Sequence, residues 1–397
     1  MCSLKTKAGH QAGFTKALQR EIDYYRHQGG ELLLSVAILL ASMVTVTWIF
    51  SAKTMTDMPI AVIDMDGSSV SRAYVRMLDA TSEMTIRDHL TSPDHARELL
   101  QQASIYAAVL IPRGFAKDVK SGRQATVIAW HSGQFLTISG VLSKSLITVT
   151  GTFSAGVEMT SLAKRGDSTL SAQVHFEPIR PELRTLFNPS LNYQYFLVAG
   201  LLPAMLQVFV MVWGVYVVGR EFRDRTSAAW LASGKTAFTA IAAKLLPVFL
   251  VASMIGLGCL GWIYSNANWP VTGSFGMLLL AWEVMICAYL VLALLAAGLA
   301  PQLTTALSFT AAYTAPAFAY AGITFPQHAM PLVAQLWAYA LPVRSLLRLQ
   351  VEQAQIGAPL SHSITELLIL IAFVLVPIPI ATYQIRKRCM MAISQDP

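Results

Sequence analysis

The chain has 397 residues, 54% of them hydrophobic and 13% charged, with a mean hydropathy of +0.51. A charged share about half that of soluble domains excludes an ordinary water-soluble protein and makes lipid the expected solvent for much of the chain. The formal charge of +7 does not indicate nucleic acid, because the 29 Lys+Arg fall in short clusters beside apolar runs, with no basic helix interleaved with exposed aromatics.

Residues 1–31 read as a cytoplasmic segment in which Phe14, Ala17, Leu18, Ile22 and Tyr25 recur at helical spacing between charges, the pattern of a helix lying in the membrane interface. Its bland alternative is a plain extension of the span that follows. Residues 32–52, between Glu31 and Lys53, hold no charge, and as a helix they reach about 30 Å, the thickness of a hydrocarbon core. No removable leader is recognised before this run, so it is expected to remain as an anchor.

Residues 53–191 change character, with 14 Lys+Arg against 13 Asp+Glu. This balance predicts a folded domain outside the membrane. Its pattern reads strand 60–64, helix 68–78, strand 84–87, helix 93–102, strand 107–111, helix 114–120 and strand 125–130, then a long helix over 132–164 and a strand at 172–178. Such alternation indicates a small α/β sheet. The segment contains no cysteine; Cys2, Cys259, Cys287 and Cys389 all lie elsewhere, so no disulfide framework is expected in it.

Residues 192–385 return to apolar character. The second span covers 192–219 despite Pro203. From Leu245 only Glu283 interrupts before Arg344, and Ser265-Asn-Ala-Asn-Trp-Pro with Ala300-Pro-Gln divide the length into spans three, four and five. Residues 367–385 form the sixth, ahead of a basic tail at 386–397. The predicted fold is therefore an α-helical membrane protein with six transmembrane helices and an α/β domain inserted between the first two. Six crossings place both termini on one side. Lys5, Lys7, Lys16, Arg20, Arg26, Arg220, Arg223, Arg225, Lys235 and Arg386-Lys387-Arg388 mark that side as the cytoplasm.

Several motifs invite chemistry. Ile60-Ala-Val-Ile-Asp-Met-Asp-Gly-Ser matches the opening of haloacid-dehalogenase-like phosphatases, but no later acidic pair follows to hold magnesium, so Asp64 and Asp66 are expected to shape a turn and cap a helix. Ala229-Trp-Leu-Ala-Ser-Gly-Lys-Thr236 fits a relaxed phosphate-binding loop without the strand that should precede it. Glu283 inside span four is a candidate polar site because a charge at a helix centre in lipid costs about 2.5–3.5 kcal/mol; its alternative is a bond to a neighbouring helix. Lys244 is expected to snorkel to the interface. Histidines 89, 95, 131 and 175 lack ligand spacing, and no metal site is expected.

Taken in order, the chain resembles the membrane subunits of ABC-2 type exporters, in the larger bacterial version with an extracytoplasmic domain. The resemblance rests on Ile60 to Ser71, on Ala107-Ala-Val-Leu-Ile-Pro-Arg-Gly-Phe, on Phe187-Asn-Pro-Ser, on Gly219-Arg-Glu-Phe-Arg-Asp-Arg-Thr, and on Gly322-Ile-Thr-Phe-Pro with Met330-Pro331 and Gln335-Leu-Trp. Ser227, Ala228 and Ala229 depart from the usual continuation of the acidic-basic motif.

The resemblance implies a permease that is not itself an enzyme. It would pair with a second permease subunit, as homo- or heterodimer, and be driven by a separate ATP-binding subunit that carries ATP and Mg; no cofactor is expected in this chain. It implies a coupling helix within 220–235, with Arg220, Glu221, Phe222, Arg223, Asp224, Arg225 and Thr226 as contacts to the ATPase. Members of the larger type also engage a periplasmic adaptor and an outer-membrane channel. The proline-broken segment 323–357 suits a re-entrant pair near the outer face, with Phe325, Pro326, Met330 and Pro331 as a candidate exit gate. The expected cargo is amphipathic or hydrophobic: a drug, a lipid or an envelope component. The competing expectation is a membrane-anchored binding or assembly protein that transports nothing; the phosphatase reading of the insert is the remote one.

Overall fold

The computed structural model describes residues 13–51, 54–133, 136–164, 188, 192–265 and 271–395. The chain divides into two compact units, one formed by residues 1–53 with 186–397 and the other by residues 54–185.

In chain order, the elements begin with α1 (Phe14–Gln28) and α2 (Gly30–Ile49). Gly29 separates them; a Cβ there would meet the Tyr25 carbonyl oxygen at 2.3 Å, so only glycine permits the junction. The interfacial segment is thus a helix of its own.

The second unit follows with β1 (Met58–Asp64), α3 (Ser69–Asp79), β2 (Met84–His89), α4 (Pro93–Gln101), β3 (Ala107–Ile111), α5 (Phe115–Lys120), β4 (Ile128–His131) and α6 (Leu136–Lys164). Its sheet runs β2-β1-β3-β4, with β1 parallel to β2 and β3 and with β4 antiparallel to β3. Alternation along β1 sends Ile60 and Val62 to a core with Tyr74, Leu78, Leu142 and Leu146, and Ala61 and Ile63 to a core with Ala96 and Ile105. A central parallel strand covered on both faces has this continuous apolar sequence. Ser68 and Ser92 cap α3 and α4 by accepting the Ser71 and Asp94 amides, with Pro93 opening α4. The strand expected over 125–130 runs instead over Ile128–His131, and the one expected at 172–178 lies outside the described residues.

The first unit resumes with α7 (Tyr193–Arg223), α8 (Ser227–Ser233), α9 (Ala237–Ser265), α10 (Phe275–Leu299), α11 (Leu303–Thr314), α12 (Ala317–Tyr320), α13 (Leu332–Tyr339), α14 (Pro342–Gln350), α15 (Leu360–Leu375) and α16 (Pro377–Gln395). Asn192 caps α7 by accepting the Tyr195 amide, and Asn188 brackets Asn192 with bonds to its amide and carbonyl. Helix α10 is buried around much of its circumference, and α7 meets it closely; a Cβ on Gly214 would stand 2.7 Å from the Ala293 Cβ.

Among the described residues five helices are long and apolar enough to cross a membrane: Gly30–Ile49, Gln194–Arg223, Ala237–Ser265, Phe275–Leu299 and Leu360–Met391. The sequence reading expected six. Its fifth span is broken, since Pro316 carries no amide to continue the ladder and α11 stops after 12 residues, about 18 Å. Its sixth is longer than expected and starts at Leu360.

Candidate functional site

The acidic-basic motif straddles the end of a long helix. Arg220, Glu221, Phe222 and Arg223 form the last turn of α7, Asp224 to Thr226 form a turn, and α8 begins at Ser227. A single coupling helix over 220–235 is therefore replaced by a helix end, a reversal and a separate seven-residue helix. The reversal is local chemistry: Arg225 takes φ 56°, and the Thr226 amide donates back to the Glu221 carbonyl at 2.9 Å, the bond that ends a helix through a left-handed residue.

The seven motif residues do not share one surface. Arg223, Asp224, Arg225 and Thr226 are exposed, whereas Arg220 and Glu221 are each 3% exposed. Glu221 accepts both guanidinium nitrogens of Arg20 at 2.9 Å, the Thr226 hydroxyl, and the Lys244 ammonium at 2.7 Å. Glu21 accepts Arg220 at 2.6 Å and Lys244 at 2.7 Å. Lys244 does not snorkel; it is fully buried, 5.2 Å from the Trp230 ring centroid. Phe222 is half-buried beneath the Arg388 guanidinium. Five charged side chains from α1, α7 and α9 thus converge under α8, with each of the two buried carboxylates holding more than one cation. The sequence reading gave Arg20 and Lys244 only as flanking charge and did not single out Glu21. The available signal was Glu21 standing on the apolar face with Ala17 and Tyr25, at helical spacing.

At the other end of the bundle lies a second polar network that the sequence reading missed. Arg344 pairs with Glu366 at 3.2 Å and donates to Gln327, and Arg348 bridges Glu366 and Glu352, each at 3.2 Å. Ser363 donates to Glu352 at 2.7 Å, Gln353 donates to Ser363 and accepts the Ser274 amide, and Gln350 accepts the Trp282 indole. The segment 323–357 is a short 3-10 turn, then α13 and α14, prolonged by a wider-wound turn over Val351–Ile356 that Gly357 ends at φ 72°. Of the candidate gate residues, Phe325, Pro326 and Pro331 are exposed and Met330 is buried. Helix α13 exposes Leu332, Val333 and Leu336 beside them.

Glu283 lies two turns inside α10 and accepts the Ser253 hydroxyl of α9. In the second unit, one Asp64 oxygen accepts the Asp66 and Gly67 amides and the other the Ser71 hydroxyl. Asp66 accepts the Gly114 and Ala116 amides at the start of α5; the Ser68 hydroxyl and these amides hold its carboxyl below the ordinary range. Both aspartates are engaged in shaping the fold. Among the described residues no group of three or more His, Cys, Asp or Glu could hold a metal ion. The relaxed phosphate-loop pattern falls on α8 and the turn after it, behind a helix.

The model of the ABC-2 family transporter proteins matches residues 31–383. The chain belongs to the ABC-2 transporter family. No curated protein matches it. As a permease of that family, it is a multi-pass membrane protein and the membrane subunit of an ABC transporter, and the family implies an ATP-binding subunit as its partner. The motif at Arg220 to Thr226 and the network around Arg344 both fall inside the matched residues.

Proposed function

We propose that this ABC-2 permease works as an exporter in a bacterial inner membrane, with both termini cytoplasmic and the unit of residues 54–185 on the periplasmic side. The helices Leu303–Thr314 and Ala317–Tyr320 together supply the fifth of six crossings, which agrees with the clustering of cations beside α1, the end of α7 and α16. Two copies, or this chain and a related one, enclose the path, and ATP with Mg is bound by the partner ATPase. The cargo is an amphipathic or hydrophobic compound, a drug, lipid or envelope component. A periplasmic adaptor with an outer-membrane channel would continue the path, and Phe325, Pro326, Met330 and Pro331 would flank its outer exit.

One observation carries the coupling role: the exposed turn Arg223-Asp224-Arg225-Thr226 and α8 rest on a cluster of the buried Glu21, Arg220, Glu221 and Lys244 and the partly buried Arg20. Force applied to the turn is then shared by α1, α7 and α9, because an ion cluster bonded on three helices resists separation. In this reading Arg223, Asp224, Arg225 and Thr226 meet the ATPase, while Arg220 and Glu221 position them and Phe222 seats against Arg388.

The test is affinity purification in mild detergent of wild type and the double variant Arg223→Glu/Arg225→Glu. Co-purification of an ATP-binding protein with the wild type and its loss from a normally folded variant supports coupling at the turn. Equal recovery removes both arginines from the contact, and absence of any ATP-binding protein from the wild type favours a membrane-anchored binding protein without transport.

A further inference from the structure

Three cations, Arg20, Arg220 and Lys244, share two carboxylates, Glu21 and Glu221. One positive charge is left over. Arg220 donates one terminal nitrogen, Nη2, to Glu21, and its Nη1 has no acceptor among the described residues although the side chain is buried. The Tyr24 ring, 3.3 Å from the guanidinium carbon, supplies a π face but no lone pair. The Tyr25 hydroxyl is a second buried group without a partner. Buried donors are almost always satisfied, and the two side chains that carry these donors border one space, which points to an acceptor there.

That space exists. A cavity of about 180 Å3 lies between α1, α2 and α7, lined by Tyr25, Arg220, Tyr216 and Trp213 and by apolar side chains such as Leu32 and Val212. It is well beyond the roughly 10–15 Å3 that admits a single water. Its position is where one candidate span begins, at Gly30, and another ends, at Arg223, the level at which lipid head groups meet a helix end. Aromatic rings with a polar tip, a guanidinium with one nitrogen unpaired and an apolar wall describe a receptor for an anion attached to a greasy body.

We propose that this cavity binds the anionic head group of a membrane phospholipid, whose phosphate accepts from Arg220 Nη1 and the Tyr25 hydroxyl and whose glycerol and upper acyl region lie against Leu32 and Val212. Glu31 also lines the cavity and accepts the Tyr216 hydroxyl. Its charge opposes an anion, so the affinity is tuned by Glu31 as well as by Arg220. The proposal rests on the membrane reading of the helices and not on export or its direction.

The test uses the full chain in detergent micelles and counts bound lipid by native mass spectrometry, with phosphatidylglycerol, phosphatidylcholine and inorganic phosphate as probes. Wild type is expected to retain one phosphatidylglycerol per chain with about tenfold preference over phosphatidylcholine; both lipids carry the phosphate, so the preference reads the choline cation, which the Arg220 guanidinium repels. Tyr25→Phe, which touches no ion pair, lowers retention several-fold. Glu31→Gln raises it. Arg220→Lys, which keeps the charge facing Glu21 but loses the fork, abolishes the preference if it folds. Equal retention of the two lipids, or Tyr25→Phe and Glu31→Gln variants that bind as wild type does, overturns the proposal. Displacement of phosphatidylglycerol by equimolar inorganic phosphate overturns the lipid as source and assigns the cavity to a free anion.

Discussion

Lys244 Nζ lies 2.7 Å from a carboxylate oxygen of Glu21, a residue 223 positions earlier in the chain, and both side chains are withdrawn from solvent. The pair ties the amino-terminal helix to α9, and through Glu221 to the end of α7.

Removing the cation takes one partner from each of two buried carboxylates and leaves Glu21 with Arg220 and Glu221 with Arg20. Lys244→Met is expected to lower stability by about 1.5–3 kcal/mol, read as a fall in melting temperature and recovery in detergent. Glu21→Gln costs less when added to it than when made alone, because the single change also deprives Lys244 of a partner and the added one does not. Strictly additive losses would mean that the two side chains do not interact.

Arg225 holds a left-handed conformation that glycine adopts without strain. Arg225→Gly is expected to leave thermal stability within about 1 kcal/mol of wild type, relief of the left-handed strain offsetting the freedom that glycine gains in the unfolded chain, while recovery of the ATPase falls. A variant that melts well below wild type would show that the Arg225 side chain anchors the turn itself.

Gly214 stands at a close approach of α7 and α10. Gly214→Val forces a side chain onto Ala293 and Leu290, with an expected cost of about 1–3 kcal/mol for overpacking. Little membrane-inserted protein should survive extraction in a folded state. Normal yield and melting would mean that the two helices slide apart freely.

Asp66 is the case in which pH enters. Its folded carboxyl is held below the ordinary value, so its contribution is present above the unfolded value and is lost as pH falls through the folded one. Hydrogen exchange in the full chain should show the Gly114 and Ala116 amides protected at neutral pH and released on acidification below about pH 4. Asp66→Ala should expose them at every pH, at a cost near 1 kcal/mol for a lost helix cap. Protection that does not change with pH or substitution would remove Asp66 from that role.

Much of the fold was legible because its signals are local. The uncharged run at 32–52 needed only composition, and the strands at 60–64 and 107–111 needed only short continuous apolar runs bounded by polar and turn residues. The end of α7 was harder, since nothing near Arg225 announces that an arginine will take the conformation usually given to glycine. The break at Pro316 was available in the sequence but was outweighed by the apolar stretch around it. Glu366, the charge that immediately precedes the span read at 367–385, lies buried between Arg344 and Arg348.

The sequence by itself determined the solvent, the crossings before and after the polar insert and the family, because apolar length and flanking charge act within a short window of chain. Only the tertiary structure decided which charges are partners. Glu21, Glu221 and Lys244 read singly as interface charge, and their meaning depends on three helices meeting at one point. A buried ion pair is a property of distance in space, and no spacing along the chain encodes that distance.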